Sequence, residues 1–200
     1  MAKVMQALVS ASDKTGLVEF VKFLADELGT QILSTGGTGR TLVEAGIKVV
    51  QVEDYTRSPE LLNGRVKTLH PKVHAGILYR RDVPAHAGEM KTMGWDGIDM
   101  VVVTLYPFEQ VIRKPETTFE DAVENIDIGG PCLLRAAAKN HSHVVAVSDP
   151  DDYGWIRDEL KKNDGWLSEA SRRKLAQAAF TRTSRYDAAI SAYLAERLKP

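Results

Sequence analysis

Apolar positions along the 200-residue chain follow two rhythms. Short, nearly continuous apolar runs occur at 6–9, 31–33, 48–52, 100–105 and 144–147, each bounded by polar or glycine-bearing turns. The run with Val101-Val102-Val103 at its heart predicts a strand buried on both faces. Between the runs the spacing lengthens to three or four. Leu17, Val21, Leu24 and Leu28 mark a helix that Gly29 stops, and residues 41–45 mark a short one with Gly46 behind it. A helix is expected from about Thr118, then a turn at Asp127-Ile128-Gly129-Gly130-Pro131, then a second helix to about Asn140, with another opening at Asp149-Pro150. Strand and helix alternating at this pace predict an α/β fold, a parallel sheet covered by helices. From Ser168 onward, Leu175, Ala179, Arg182, Tyr186, Ile190, Tyr193 and Leu198 keep helical spacing over about eight turns. No strand follows, so this segment is expected to dock a partner or second copy, or to lead to something absent. The expected organisation is a domain over 1–165 with C-terminal helices over 166–200.

One stretch, 62–75, fits neither rhythm. Gly64 and Pro71 interrupt it, so it is expected to be a loop with one helical turn from about Pro71. Between Glu60 and Asp82 there is no carboxylate, yet Arg65, Lys67, Lys72, Arg80 and Arg81 all fall there. In a chain of net charge −1, that is a local positive field suited to a small anion, or else a plain solvated basic loop. A pI near 6.5 argues against a nucleic-acid binder. A single cysteine, Cys132, excludes a disulfide framework and a multi-cysteine metal site. No secretion signal and no run of about 20 apolar residues is present, so a soluble, cytoplasmic protein with no membrane partner is expected.

In an open parallel sheet, ligands sit beyond the carboxyl ends of the strands. Ser12-Asp13-Lys14, the turn 34–38, Thr104-Leu105-Tyr106 and the basic loop all fall at such positions. Ser34-Thr35-Gly36-Gly37-Thr38 offers backbone N–H groups and a helix start to a phosphate. It lacks the Walker lysine and the third glycine of the dinucleotide fingerprint, and a turn needing glycine for its backbone angles would look the same. Asp127 before a helix can be a cap, and Lys139 at a helix end is favoured by the helix dipole. Taken together with Lys67 and Tyr106, they offer a base, proton donors and cations. His70 and His74 are four apart, but zinc would need further ligands that the neighbouring sequence lacks, so no metal is expected. His141 and His143 are expected at the surface or behind the site, and Trp95, Trp155 and Trp166 in packing.

Ser-Asp-Lys-Thr-Gly-Leu (12–17), Ser-Thr-Gly-Gly-Thr (34–38), Gly-Arg-Val-Lys-Thr-Leu-His-Pro (64–71), Leu-Tyr-Pro-Phe (105–108), Ile-Asp-Ile-Gly-Gly (126–130) and Leu-Leu-Arg-Ala-Ala-Ala-Lys-Asn (133–140) occur in order. The chain thereby resembles the inosine-monophosphate (IMP) cyclohydrolase domain of the bifunctional purine-biosynthesis enzymes that also carry a formyltransferase. The resemblance implies a methylglyoxal-synthase-like, three-layer, doubly wound parallel sheet. It implies ring closure of 5-formamidoimidazole-4-carboxamide ribotide (FAICAR) to IMP, with no cofactor and no metal. It assigns Lys67, Tyr106, Asp127 and Lys139 to catalysis. It assigns Ser12, Lys14, Ser34, Thr35, Gly36, Gly37, Thr38, Arg65, Thr68, Thr104, Ile128 and Gly129 to substrate binding. A homodimer is implied, and a separate formyltransferase is a further expected partner.

Two departures stand out. The family commonly carries Asn where this chain has Thr104, and the chain ends at Pro200, where the formyltransferase domain would begin. Formyl transfer is therefore not expected of it. Two other readings share the fold: a methylglyoxal-synthase-type lyase, and a non-catalytic nucleotide or phosphate sensor that needs the phosphate turn but not Lys67, Asp127 and Lys139 together.

Overall fold

The computed structural model describes residues 3–198; Met1, Ala2, Lys199 and the expected domain end at Pro200 lie outside the described residues. In chain order the elements are β1 (Gln6–Ala11), α1 (Leu17–Asp26), β2 (Gln31–Ser34), α2 (Gly36–Glu44), β3 (Val49–Gln51), α3 (Val52–Thr56), α4 (Pro71–Leu78), α5 (Pro84–Met93), β4 (Met100–Thr104), α6 (Phe108–Ile112), α7 (Phe119–Glu124), α8 (Gly129–Lys139), β5 (Val145–Val147), α9 (Tyr153–Lys162) after a short 3-10 turn, and α10 (Glu169–Arg197). The five strands form one parallel sheet in the order β3-β2-β1-β4-β5. Val9 sits at its middle, paired with Ser34 on one side and Val102 on the other.

Period-two alternation sends successive side chains to opposite faces, and both faces are buried. Ala7, Val9, Met100 and Val102 pack with Leu17, Phe20 and Leu24 of α1 and Ile156 and Leu160 of α9. Leu8, Val101 and Val103 pack the other way, with Val73 and Ile77 of α4, Leu133 and Leu134 of α8, and Ala176 and Ala179 of α10. The result is the expected three-layer, doubly wound α/β sheet. A third, smaller cluster of Phe108, Ala122 and Tyr193 fastens α6 and α7 to the far half of α10.

The departures from the sequence reading are local. The third strand is only Val49–Gln51, because Val52 turns into α3. Residues 71–78 form two helical turns rather than one, with His70 as the cap. Helix α2 begins at Gly36, ahead of the expected 41, and α8 begins at Gly129, inside the expected turn. Helix α5 carries no apolar stripe, since only Met90 of it is buried, and so left no periodic mark. Helix α10 is an unbroken 29 residues.

Leu8, with no exposed surface at the sheet centre, tests this packing. Leu8→Ala is expected to lower stability by about 2–5 kcal/mol, read as a reduced urea midpoint; an unchanged midpoint would contradict the buried position.

Candidate functional site

The strand order reverses between β1 and β4, so their carboxyl ends diverge into opposite helical layers and leave a crevice. Its floor is sewn shut by hydrogen bonds. The Ser12 N–H donates to the Thr104 carbonyl at 3.2 Å. Ser12 Oγ donates to the Leu105 carbonyl at 2.6 Å. The Asp13 N–H donates to Thr104 Oγ1 at 2.9 Å. Thr104 is buried, and its hydroxyl is committed to the Asp13 backbone. The Thr104 side chain thus holds the turn bearing Lys14, which is exposed at the rim.

Beside this turn stands the start of α2. Ser34 has no exposed surface, and its Oγ donates to the Val9 carbonyl at 2.7 Å. Thr38 Oγ1 accepts from the Ala11 N–H and donates to the Ala11 carbonyl, both at 3.0 Å. These two hydroxyls fasten the turn to β1 and so set the cradle's shape. Thr35 differs: its Oγ1 is buried without a hydrogen-bond partner, next to the free N–H groups of the helix start. Gly36 has φ +55°, which favours glycine, and Lys67 Nζ lies 3.6 Å from where a Cβ on Gly36 would be. Around Gly37 no atom lies within 4 Å of such a Cβ. An open helix start, an unpartnered hydroxyl and a cation make an anion cradle.

The basic stretch is less positive than its sequence suggests. Lys67 pairs with Glu60 at 3.0 Å, and Arg65 with Glu124. Lys72 Nζ donates to the Tyr55 carbonyl at 2.6 Å. Arg80 and Arg81 lie beyond α4, paired with Asp82 and Asp99. The field is thus split between the two ends of α4 and met by carboxylates from outside the stretch. Leu62, Asn63 and Gly64 all have positive φ, of 54°, 54° and 89°. A Cβ on Gly64 would lie 2.7 Å from Lys67 Cε, so that lysine crosses directly over the glycine. His70 Nδ1 accepts from the Lys72 N–H, and burial pushes the His74 ring below its ordinary value. Among the described residues no group of three or more His, Cys, Asp or Glu converges as a metal site.

Asp127 completes the crevice. Its carboxylate accepts from the Gly130 N–H at 2.8 Å and from the Tyr106 N–H, which ties it to the end of β4. Burial pushes its carboxyl above the ordinary aspartate value, against those two N–H bonds, which hold it down. Thr68, itself buried, brings its hydroxyl to 3.0 Å from where a Cβ on Gly129 would sit. Tyr106 and Ile128 line the opening, 57% and 56% exposed. One end of the sheet therefore gathers Ser12, Lys14, residues 34–38, Lys67, Thr68, Thr104, Tyr106 and 127–129, with Arg65 on the exposed rim. Lys139 is not among them. It is exposed at the last turn of α8, about 15 Å from Gly129 at 1.5 Å per residue. Sequence reasoning missed Glu60, Glu124 and Tyr186, whose Oη accepts the Asp127 N–H at 2.8 Å. Only the helical spacing of Tyr186 hinted that it faced inward.

Known proteins resemble this chain in sequence and in fold. The family model described as MGS-like domain matches residues 16–132, and the chain belongs to that family. A second model, described as AICARFT/IMPCHase bienzyme, matches residues 137–200. The bifunctional purine biosynthesis protein PurH of a Neisseria meningitidis serogroup A strain is 54% identical over 194 residues, which is 97% of this chain and 36% of that protein. PurH of a Cyanothece strain is 53% identical over 188 residues, 94% of this chain and 37% of that protein. The chain thus spans little more than a third of the length of these curated relatives. The solved structure of ForH matches with a TM-score of 0.82 at 36% identity, covering 94% of this chain and 95% of that one. The likeness drawn from the six sequence motifs is met by these matches.

An acid held above its ordinary value favours folding while protonated, so it opposes stability progressively as pH rises from that ordinary value through the raised one. Asp127→Asn is therefore expected to raise the urea midpoint at about pH 7 and to lose that advantage near pH 3.5. A constant difference at both pH values would show that Asp127 is not perturbed.

Proposed function

We propose that this chain is an IMP cyclohydrolase, catalysing the dehydrative ring closure of FAICAR to IMP, the last step of de novo purine biosynthesis. The observation that carries this reading is Asp127: a half-buried carboxylate with a raised proton affinity, sharing one crevice with an anion cradle and Lys67. The kinship with PurH supports the substrate class. The open start of α2, the Thr35 hydroxyl and Lys14 suit the ribotide phosphate. Arg65 and Thr68 reach toward the ribose and phosphate, and Ile128, Gly129 and Tyr106 flank the base.

Nucleophile and electrophile belong to one molecule, so the main tasks are orientation and charge stabilisation. The carboxamide nitrogen forms a bond to the formyl carbon and gives one proton to Asp127. A carboxylate shifted upward is a better base near neutral pH. Negative charge that develops on the formyl oxygen is met by Lys67, released from Glu60. The oxyanion takes the proton held by Asp127 to become a carbinol hydroxyl, which leaves as water with the proton that the second nitrogen loses as the ring C=N bond forms. No atom changes oxidation state, so the step calls for no redox cofactor. Tyr106 orients the amide or passes protons.

Lys139 can join this chemistry only from another chain, since it stands at the opposite end of α8 from its own Asp127. We therefore read the enzyme as a cytoplasmic homodimer in which Lys139 of one copy serves the other. The formyl group would be installed by an AICAR formyltransferase that residues 1–200 do not include.

Incubating the chain with FAICAR and following the ultraviolet change to IMP tests the activity. Lys67→Ala and Asp127→Asn are each expected to lose on the order of 10²–10⁴ in turnover with the fold intact. Binding of IMP without turnover of FAICAR would replace the enzyme by a nucleotide sensor, and phosphate release from dihydroxyacetone phosphate would replace it by a lyase. Mixing the inactive Asp127→Asn and Lys139→Ala variants is expected to restore up to roughly a quarter of the activity, because the mixed dimer keeps one unaltered site. No recovery, or full activity of Lys139→Ala alone, would remove the shared-site arrangement.

A further inference from the structure

Asp127 lies in the segment linking α7 to α8, and the two bonds to its carboxylate come from backbone N–H groups of Tyr106 and Gly130. Its own backbone N–H is satisfied from a distant part of the chain. Tyr186, halfway along α10 and 59 residues away, offers its phenol oxygen at 2.8 Å to that N–H. The phenol ring is fixed in turn: it meets Phe108 edge to face with centroids 6.3 Å apart, and Phe108 is almost wholly buried. Phe108 stands edge to face with Tyr193, two turns further along the same face of α10, at 5.6 Å. The far half of α10 thus presses a rigid aromatic plate against α6 and α7 and points one oxygen from it at the backbone of the carboxylate residue.

We propose that Tyr186 is a positioning residue for the cyclisation, acting through Asp127. The proposal rests on the function given above, and it adds α10 to the parts that set the reaction geometry. Because the phenol oxygen accepts the Asp127 N–H, it fixes the peptide plane from which the carboxylate hangs. That plane decides whether the carboxylate lone pairs meet the proton on the substrate nitrogen. Burial holds the phenol above its ordinary value, with the Asp127 carboxylate adding to the effect, so it stays protonated and neutral through the working pH range. The contact is therefore a constant of the site rather than a switch. Misplacement of a catalytic group by about 1 Å is enough to cost two orders of magnitude in rate.

Tyr186→Phe removes one oxygen and leaves the aromatic plate. Two measurements separate its effects. Amide hydrogen exchange, which needs no substrate, is expected to accelerate at residue 127 on the order of tenfold or more in the variant, with the sheet amides unchanged. In the FAICAR assay, kcat is expected to fall on the order of 10–100-fold while KM stays within about threefold, since orientation matters in the transition state and not for phosphate binding. Tyr193→Phe is the control. Its hydroxyl is buried in the same cluster without a hydrogen-bond partner, so its removal is expected to leave both the exchange rate and kcat unchanged. If Tyr186→Phe turns over at the parent rate, or if Tyr193→Phe loses kcat equally, Tyr186 is mere packing and the proposal falls. If exchange at residue 127 accelerates in the variant but the parent does not cyclise FAICAR, the contact stands and the assigned reaction falls instead.

Discussion

Strand β1 constrains everything else. It is hydrogen-bonded along its length to β2 and β4, and its side chains are buried on both faces. A central strand of a parallel sheet can offer a ligand nothing but its carboxyl end, and here the chain leaves that end on one face while its neighbour β4 leaves on the other. The crevice is a consequence of winding, not of any one residue. The bonds joining Ser12 and Asp13 to Thr104 then decide how far it opens. Thr104 is part of the crevice floor: its hydroxyl accepts from the Asp13 N–H and donates to the Asp13 carbonyl.

Charge in the crevice is balanced before any substrate arrives. Lys67 faces Glu60, and Arg65 faces Glu124. Exposed pairs of this kind are weak, so exchanging a carboxylate for a doubly charged phosphate is favourable without a large penalty. Asp127 is governed by the opposite logic. It is half-buried and pairs with no cation among the described residues, and its loss of solvent outweighs the two N–H groups that hold it down. The same few residues therefore hold loosely neutralised cations and one poorly solvated anion, a combination suited to moving protons within a bound, charged molecule.

Much of this was legible in the chain. Continuous runs such as 101–103 marked buried strands, and the alternation of elements led to the doubly wound sheet. Polar clusters at strand ends marked the crevice. What could not be read has physical reasons. Helix α5 is polar nearly all round, and α2 opens with two glycines that carry no helical preference. That the hydroxyls of Ser34 and Thr38 bond to β1 was not legible, because a side chain's direction at a strand end depends on register. Glu124 and Tyr186 each act on a residue 59 positions away, and no local pattern encodes that pairing. The remoteness of Lys139 was within reach: a helix running from 129 to about 140 already sets the separation.

The crossing of Lys67 over Gly64 has a mutational corollary. Position 64 is held to glycine by a backbone angle of +89°, and the mobile end of Lys67 lies 2.7 Å from the place of any β-carbon. Any side chain at 64 would strain the turn through that angle and would also push the ammonium of Lys67 off its present line. A change at a residue with no side chain would thereby be felt at its charged neighbour.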